Sequence, residues 1–432
     1  MAFAPPRGMR DFYPEEMTTR TALFEIWRRA ARLHGFEEYD APVVETEELL
    51  IRKGGEDIVR QIYSFEDKSG RRLALRPEMT PSLARLVLSR QNALSYPLKW
   101  FSIPQCFRYE RMTKGRKREH YQLNLDIIGE ENVYAETEVL SAAIHSLQLA
   151  GLREGDFFVR VGSRALLGDL FDASGIPTEK FEAVCLALDK RDKQPADAIA
   201  ALLASEGLTA EEIKKAFELL EIGSLEEAAG FLKKKTAAFE NVADLFSLLD
   251  DYGLGGFICF DISIVRGLAY YTGIVFEAFD AKRRFRAIFG GGRYDNLVSS
   301  LGGKPIPCVG LGFGDVVVCE LLSDLGRPLA GDRGADVQIG FLSDEERGMA
   351  LEAVRILRGE GCAVNVDLAP SKAKKFFARA SKAGARHAIY LGPSERKEGL
   401  YPIKDLTEGT IKKAEAKELS TIYCANRDRV AK

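Results

Sequence analysis

Apolar residues recur at helical spacing in two stretches of the first 150 residues. The first predicts a helix over residues 19–33 that ends before Gly35, with its apolar face formed by Leu23, Ile26, Trp27, Ala30 and Leu33. The second predicts a helix over residues 136–150. Between them, short apolar runs at 73–75 and 99–103 are typical of strands. Helices and strands therefore alternate in this part of the chain.

The pattern from about residue 195 to residue 250 contains helix formers only. Two capping boxes, Thr209 with Glu212 and Ser224 with Glu227, each open an apolar-periodic run. Strand signals return at 257–260, 274–276 and 287–289, and the last of these runs into Gly290–Gly292. We therefore predict a sheet that is interrupted by an all-helical insertion at about 170–252.

A linker is predicted at residues 326–335, where three glycines and a proline fall within nine residues. Beyond it, strands at 337–341, 363–366 and 388–391 alternate with helices at 345–358 and 372–382. This order predicts a small α/β domain over residues 336–432 with a largely parallel sheet. Its second helix is basic, and Phe376 and Phe377 are expected to face the core.

Composition excludes several classes of protein. The chain of 432 residues is 46% hydrophobic and 29% charged, and it has no apolar stretch long enough to span a membrane. The N-terminus does not resemble a secretory signal, so we expect a cytoplasmic protein. The seven cysteines and four histidines are scattered, which predicts neither a disulfide framework nor a metal site.

The net charge of −3 is unevenly distributed. Residues 336–432 carry 18 Lys and Arg against 14 Asp and Glu, a net charge of +4, which leaves −7 for the preceding residues. A basic appendage on an acidic body suits a polyanionic partner, although such a small surplus is often only a solvated surface.

Candidate chemistry begins with a hairpin at residues 107–126. Arg108 and Glu110 precede the basic loop 114–118, and Gln122 and Asp126 follow it. Arginine donates two hydrogen bonds to phosphoryl oxygens from a planar fork, so this hairpin can close on a polyphosphate. Arg108, Glu110, Gln122 and Asp126 share the parity of one strand face and are predicted to point into one pocket.

Two further segments are rich in glycine and tyrosine. Residues 265–273 contain Arg266, Tyr270 and Tyr271, and residues 290–295 contain three glycines before Tyr294. Successive glycines let a backbone approach a ligand closely. Neither a Walker-type loop nor a dinucleotide-binding glycine pattern is present.

Together these segments resemble the histidyl-tRNA synthetase family along the whole chain. The hairpin resembles motif 2 of class II synthetases, and residues 36–45 resemble motif 1. The segment Arg266-Gly-Leu-x-Tyr-Tyr271 resembles one that is peculiar to the histidine enzymes. The resemblance implies an α+β catalytic domain on an antiparallel sheet over residues 1–325, with the helical insertion, and a C-terminal α/β anticodon-binding domain. It implies a histidine–tRNA ligase that uses ATP and Mg²⁺, binds tRNA(His), and forms a homodimer near Pro42.

The resemblance also implies roles for individual residues. Arg108 and Arg266 would be catalytic. Histidine would be bound by Glu78, Thr80, Arg108, Gln122, Asp126, Arg266, Tyr270, Tyr271 and Tyr294. ATP would be bound by Arg108, Glu110, Arg116, His120, Gly312 and Gly314.

Four positions depart from the family pattern. Val317 stands where motif 3 usually has an arginine. Ala269 stands where the segment peculiar to the histidine enzymes has an aspartate. His120 replaces a phenylalanine stacked on adenine, and we expect its ring to stack there while another basic residue replaces the motif 3 arginine. Thr113 lies where the family contacts the tRNA acceptor end, which leaves recognition of an extra 5′ guanosine open.

Two alternative hypotheses about the function remain. A catalytically silent paralogue, similar to the synthetase-like regulatory subunit of ATP phosphoribosyltransferase, is favoured by the loss of the motif 3 arginine. The complete motif 2 loop at Lys114–Arg116 and the C-terminal α/β domain argue against it. A binding protein without a nucleotide site is disfavoured by Arg108, Arg116 and Arg266.

Overall fold

The computed structural model describes residues 3–51, 59–110, 117–188, 194–264, 271–331 and 334–421. It divides into two compact units, residues 1–329 and 330–432. Within the described residues, no helix is both long and apolar enough to cross a membrane.

The larger unit is built on a nine-stranded sheet, and a second sheet of three strands accompanies it. Its strands are β1 (Glu37–Glu38), β2 (Val44–Thr46), β3 (Tyr63–Glu66), β4 (Arg72–Leu75), β5 (Leu98–Ser102), β6 (Gln105–Phe107), β7 (Glu119–Ile128), β8 (Phe157–Ser163), β9 (Ile258–Phe260), β10 (Ile274–Asp280), β11 (Phe289–Arg293) and β12 (Cys308–Gly314).

The large sheet has the order β1-β5-β7-β12-β11-β10-β8-β9, with β6 paired to β7, and the small sheet has the order β2-β4-β3. Among the described strands of these two sheets, only β1 with β5 and β8 with β9 run parallel. The prediction of an antiparallel sheet in this unit is confirmed, with parallel strands at the two edges.

Helices cover this sheet and form the insertion. They are α1 (Pro14–Leu33), α2 (Thr80–Arg90), α3 (Tyr134–Leu149), α4 (Arg164–Ala173), α5 (Phe181–Leu188), α6 (Ala196–Ser205), α7 (Ala210–Leu220), α8 (Leu225–Phe231), α9 (Ala237–Asp251) and α10 (Asp315–Asp324). Helix α1 begins five residues before the predicted start, because Pro14 at the first turn followed by Glu15 and Glu16 is a favourable helix N-terminus.

The two capping boxes differ in the structure. Thr209 Oγ1 accepts from Glu212 N–H at 3.2 Å and the Glu212 carboxylate accepts from Thr209 N–H at 2.7 Å, which confirms the first. Ser224 Oγ caps Glu227 N–H at 3.1 Å, but the Glu227 carboxylate accepts from Gly223 N–H instead. The second box is therefore only half formed.

The glycine run at 290–292 lies inside strand β11, whereas the sequence placed the strand before it. A Cβ on Gly291 would lie 2.1 Å from the Gly310 carbonyl oxygen, and one on Gly292 would lie 2.6 Å from that of Ile274. At Gly291 and Gly292, glycine therefore allows neighbouring strands to approach one another.

The smaller unit is a five-stranded sheet with helices. Its elements are β13 (Val337–Phe341), α11 (Arg347–Gly359), β14 (Val364–Val366), α12 (Ala373–Lys382), β15 (His387–Leu391), α13 (Pro393–Glu398), β16 (Tyr401–Asp405) and β17 (Ile411–Ala414). Strands β14, β13 and β15 are parallel, but β16 and β17 are antiparallel additions that the sequence did not predict. Cys362 is disulfide-bonded, which the cysteine spacing also did not predict.

The basic helix α12 packs as predicted. Phe376 is fully buried with Ala380 and Ala388, and Phe377 is partly buried beside them. Its lysines lie on the other faces of the helix.

Candidate active site

The hairpin β6–β7 carries the first group of predicted residues. Cys106 pairs with His120 across it, and Arg108 N–H donates to the Arg118 carbonyl at 3.0 Å. Arg108 and Glu110 lie just beyond β6, not on a strand as predicted, because the pairing ends at Phe107. Arg108 Nε donates to the Pro77 carbonyl at 2.9 Å, which ties the hairpin to the loop before α2.

Strand β7 presents a row of polar side chains on one face. The row consists of every second residue of the strand: His120, Gln122, Asn124 and Asp126. Gln122 Nε2 donates to Asn124 Oδ1 at 3.1 Å. The prediction that Gln122 and Asp126 share a face is confirmed.

The neighbouring strand β12 makes room for this row with its glycines. Gly310 pairs with Asp126, and a Cβ there would lie 2.0 Å from Asp126 Oδ1. A Cβ on Gly312 would lie 2.2 Å from Gln122 Nε2. The spacing Gly310-x-Gly312 therefore has a packing reason: any side chain would fill the space that the two polar groups occupy.

Asp126 lies at the buried end of the row. Tyr294 Oη donates to Asp126 Oδ1 at 2.5 Å, while Oδ2 is buried without a hydrogen-bond partner in the described part of the chain. Burial raises the pKa of Asp126 to about 7, although the Tyr294 hydroxyl acts in the opposite direction. Burial also raises the pKa of Tyr294. A buried acceptor atom that lacks a donor suits a ligand N–H.

Two tyrosines complete the surroundings of Asp126. Tyr271 and Tyr294 share one buried cluster, against which Tyr39 packs. Burial, and then the charge of Asp126, raise the pKa of Tyr39. The sequence predicted Tyr271 and Tyr294 but missed Tyr39, although it lies within the segment that resembles motif 1.

The loop before α2 is held by Arg76. Its Nη1 donates to Asp40 Oδ1 at 3.1 Å and to the Ala41 carbonyl at 2.7 Å, and its Nε donates to the Gln105 carbonyl at 3.0 Å. These bonds join motif 1, this loop and β6. Glu78 and Thr80, which follow Arg76, are both buried.

A cavity of about 750 Å³ adjoins the row on β7. Gln122 lines it together with the described residues predicted to bind ATP, which are Arg108, Glu110, His120, Gly312 and Gly314. Val317 lines it as well. The sequence missed the contribution of the β10–β11 connection, because nothing in its local pattern marks Arg283 or Arg286 as facing a ligand.

A buried ionic network lies beneath the hairpin. Arg10 pairs with Glu119 at 2.5 Å and with Asp315 at 3.0 Å, and Asp315 Oδ1 accepts from Tyr121 N–H at 3.0 Å. Burial raises the pKa of Asp315, and the Arg10 guanidinium partly offsets this. The N-terminal segment thereby joins β7 to the start of α10.

Several predicted residues lie outside the described residues: Arg116, Arg266 and Tyr270, together with Thr113 and Ala269. Among the residues that are described, no group of three or more His, Cys, Asp or Glu could hold a metal ion.

Two family models match the chain. The histidyl-tRNA synthetase model matches residues 8–314, and the anticodon binding domain model matches residues 336–423.

Relatives match over most of their length. The chain is 44% identical to the chloroplastic/mitochondrial histidine–tRNA ligase of Arabidopsis thaliana, over 94% of this chain and 83% of that one. It is 40% identical to the histidine–tRNA ligase of Opitutus terrae, over 93% of this chain and 94% of that one. Among solved structures, a histidyl-tRNA synthetase from a Nostoc species matches in fold with a TM-score of 0.82 at 24% identity, covering 98% of this chain and 99% of that one.

Proposed function

Because this chain belongs to the histidyl-tRNA synthetase family, we propose that its cavity binds ATP and that the Asp126 pocket binds the histidine imidazole. The chain is a histidine–tRNA ligase that activates histidine with ATP and transfers it to tRNA. The relatives reported above are named histidine–tRNA ligases, so we do not propose a silent regulatory paralogue. The proposal concerns which residues perform each step.

The observation that best supports this proposal is the hydrogen bonding of the Asp126 carboxylate. Tyr294 satisfies one carboxylate oxygen, and the other is buried without a donor among the described residues. An imidazole N–H supplies that donor. An apolar side chain of similar size would leave the oxygen unsatisfied at a cost of roughly 1–3 kcal/mol or more, which gives selectivity for histidine.

We propose that Arg108 acts on both substrates. Its Nε is engaged with the Pro77 carbonyl, which leaves the two terminal nitrogens to donate. They hold the α-phosphate and the histidine carboxylate, while Arg116 takes the outer phosphates and Arg266 stabilises the charge that grows on the α-phosphoryl oxygens. The carboxylate oxygen bonds to the α-phosphorus, and the bond from that phosphorus to pyrophosphate breaks.

The other predicted residues orient the substrates. Glu78 and Thr80 bind the amino group of histidine, while Gln122, Tyr270 and Tyr271 line its pocket. Glu110, His120, Gly312 and Gly314 bind ATP, with the His120 ring stacked on adenine. The tRNA 3′-hydroxyl then attacks the histidyl carbonyl carbon and AMP leaves.

The donor set of the cavity fits Mg²⁺. Glu110 and Glu277 both line it, and Mg²⁺ is usually held by one or two carboxylates together with substrate phosphates and water. These two carboxylates would hold the ion, which would neutralise charge on the phosphates when bound.

The smaller unit matches an anticodon-binding domain and therefore binds tRNA. We propose that helix α12 contributes, since Lys372, Lys374, Lys375, Arg379 and Lys382 lie within or beside it. Such a contact depends on phosphate charge, so it weakens with salt.

A homodimer through motif 1 is part of the proposal. Pro42 is exposed, and Val43, Val44 and Phe65 on or beside the small sheet are each 39–40% exposed. Exposed apolar side chains near one another suit a subunit interface. We also propose a cytoplasmic location and domain limits at 325 and 336.

Histidine-dependent exchange of pyrophosphate into ATP, without tRNA, tests the residue roles. Asp126→Asn keeps the shape of the side chain but replaces a carboxylate oxygen by an amide donor, so we expect KM for histidine to rise by roughly tenfold or more. KM for ATP should stay unchanged. Arg266→Ala should abolish exchange. An Asp126→Asn enzyme with an unaltered KM for histidine would contradict the assignment of the imidazole pocket.

A further inference from the structure

The wall of the cavity that carries Val317 is joined to the β10–β11 connection. Gly314 N–H donates to the Ile288 carbonyl at 3.3 Å, at the end of β12. Val316 and Val317 follow Gly314, and both line the cavity with Ile288. This wall is therefore apolar at the position where the motif 3 arginine is missing.

Besides Arg286, the cavity is lined by Lys117 and by three arginines that already contact described residues through part of the side chain. Arg160 donates to Asp261 Oδ2 at 2.5 Å and to Ser263 Oγ at 3.1 Å. The Arg283 guanidinium lies 5.5 Å and 5.7 Å from the ring centres of Phe158 and Phe279. Arg108 donates through Nε to Pro77, as described above.

Arg286 is different. It lines the same cavity and is exposed, and its side chain makes no hydrogen bond or ion pair with another residue of the described chain. Among the described residues none competes with a ligand for this guanidinium, so an anion in the cavity meets donors that no described residue occupies.

The backbone on both sides of Arg286 is held in place. Phe285 N–H donates to Asp280 Oδ1 at 2.9 Å, and Ile288 N–H donates to the Ala278 carbonyl at 2.7 Å. The side chains of Phe285 and Ile288 are buried. Arg286 therefore projects from an anchored segment, which lowers the entropic cost of using it in a binding site.

We infer that Arg286 binds the phosphate chain of ATP and supplies the cation that Val317 cannot. This inference rests on the proposed binding of ATP in the cavity. The apolar side chains of Val316, Val317 and Ile288 suit the adenine ring on which we propose that His120 stacks. The guanidinium fork of Arg286 suits phosphoryl oxygens, whose negative charge needs compensation outside bulk water.

Pyrophosphate exchange with Arg286→Ala, Arg286→Lys and Lys282→Ala tests the inference. Lys282 lies in the same connection, is exposed and does not line the cavity, so its variant is a matched control for the loss of one charge. We expect Arg286→Ala to raise KM for ATP by roughly tenfold or more, as for the loss of a charged hydrogen bond. Arg286→Lys should recover part of this, and Lys282→Ala should match the wild type. KM for histidine should not change in any variant.

Equilibrium binding of ATP and of adenosine to the same proteins separates phosphate from base. We expect Arg286→Ala to weaken the binding of ATP and to leave the binding of adenosine unchanged. Equal weakening of both would overturn the phosphate assignment, and unaltered ATP binding and KM would overturn the inference entirely. If the wild-type protein showed no ATP binding or exchange, the proposed function would fail first, which is a separate result.

Discussion

Replacing Asp126 by asparagine should stabilise the ligand-free protein while it weakens histidine binding. The buried carboxylate has a pKa of about 7, against an ordinary value of 3.8. The folded state therefore holds a proton that the unfolded state releases between about pH 4 and pH 7. Over that window the unfolded state binds fewer protons, so this group lowers stability as pH rises, and its full cost is present above about pH 7.

The size of the effect follows from the two pKa values. At about 1.4 kcal/mol per pKa unit, burial of this carboxyl group costs roughly 2 kcal/mol at pH 5.5, where the folded state keeps it protonated. The cost is roughly 4 kcal/mol at pH 8.5, where the buried group is ionised. Asparagine removes this cost, and its amide oxygen can still accept from the Tyr294 hydroxyl. We expect the melting temperature of Asp126→Asn to exceed that of the wild type at both pH values, with the larger difference at pH 8.5.

Thermal melts without ligand at pH 5.5 and pH 8.5 measure the difference. Asp251→Asn, which removes an exposed carboxylate, is the control, and its small effect should be the same at both pH values. A destabilised Asp126→Asn protein, or a gain independent of pH, would refute the argument that burial of the Asp126 charge costs stability. Saturating histidine should reverse the order, because only the wild type offers a second acceptor to the ligand.

Three further substitutions have expected outcomes. Gly310→Ala places a Cβ 2.0 Å from Asp126 Oδ1. We expect its free energy of unfolding, measured by heat or urea, to fall by about 1–3 kcal/mol, and its KM for histidine to rise. Gly314→Ala is the control and should retain the wild-type stability, because the space around its Cβ is open. Arg10→Ala leaves two buried carboxylates without their cation and should cost about 3–5 kcal/mol in the same unfolding assay, with Arg10→Lys intermediate; an unchanged melting temperature would refute the role of this network. Phe376→Ala should cost about 3–5 kcal/mol in the C-terminal unit alone, so aminoacylation should fail at a temperature at which pyrophosphate exchange without tRNA persists.

Local patterns predicted most elements of the fold but not all of them. Helix α1 and the box at Thr209 follow from periodicity and capping, which act over a few residues. Strands β16 and β17 were missed because both are short, and their place in the sheet depends on pairing: β16 pairs with β15, and β17 pairs with β16. The position of β11 was misjudged because glycine disfavours strands intrinsically, and its presence is explained by the closeness of β12 at Gly291 and of β10 at Gly292.

The histidine pocket was predicted in part for the same reason. Parity along β7 was enough to place Gln122 and Asp126 on one face, since both lie on a single strand. The bond between Asp126 and Tyr294 joins residues that are 168 positions apart, and no local pattern contains it. Tyr39 approaches Asp126 from yet another segment, so its part in the pocket appears only after the chain has folded.

The missing arginine of motif 3 illustrates what a sequence motif does and does not constrain. Electrostatic stabilisation of a phosphate depends on where a positive charge lies and how far it is shielded from water, and not on which element carries it. In this chain Val317 and Ile288 form one wall, because Gly314 and Ile288 are hydrogen-bonded neighbours. A cation at Arg286 therefore lies on the wall that lost one at Val317. The cavity thus keeps a cation beside Val317, which is the physical reason to expect an active enzyme despite the broken motif.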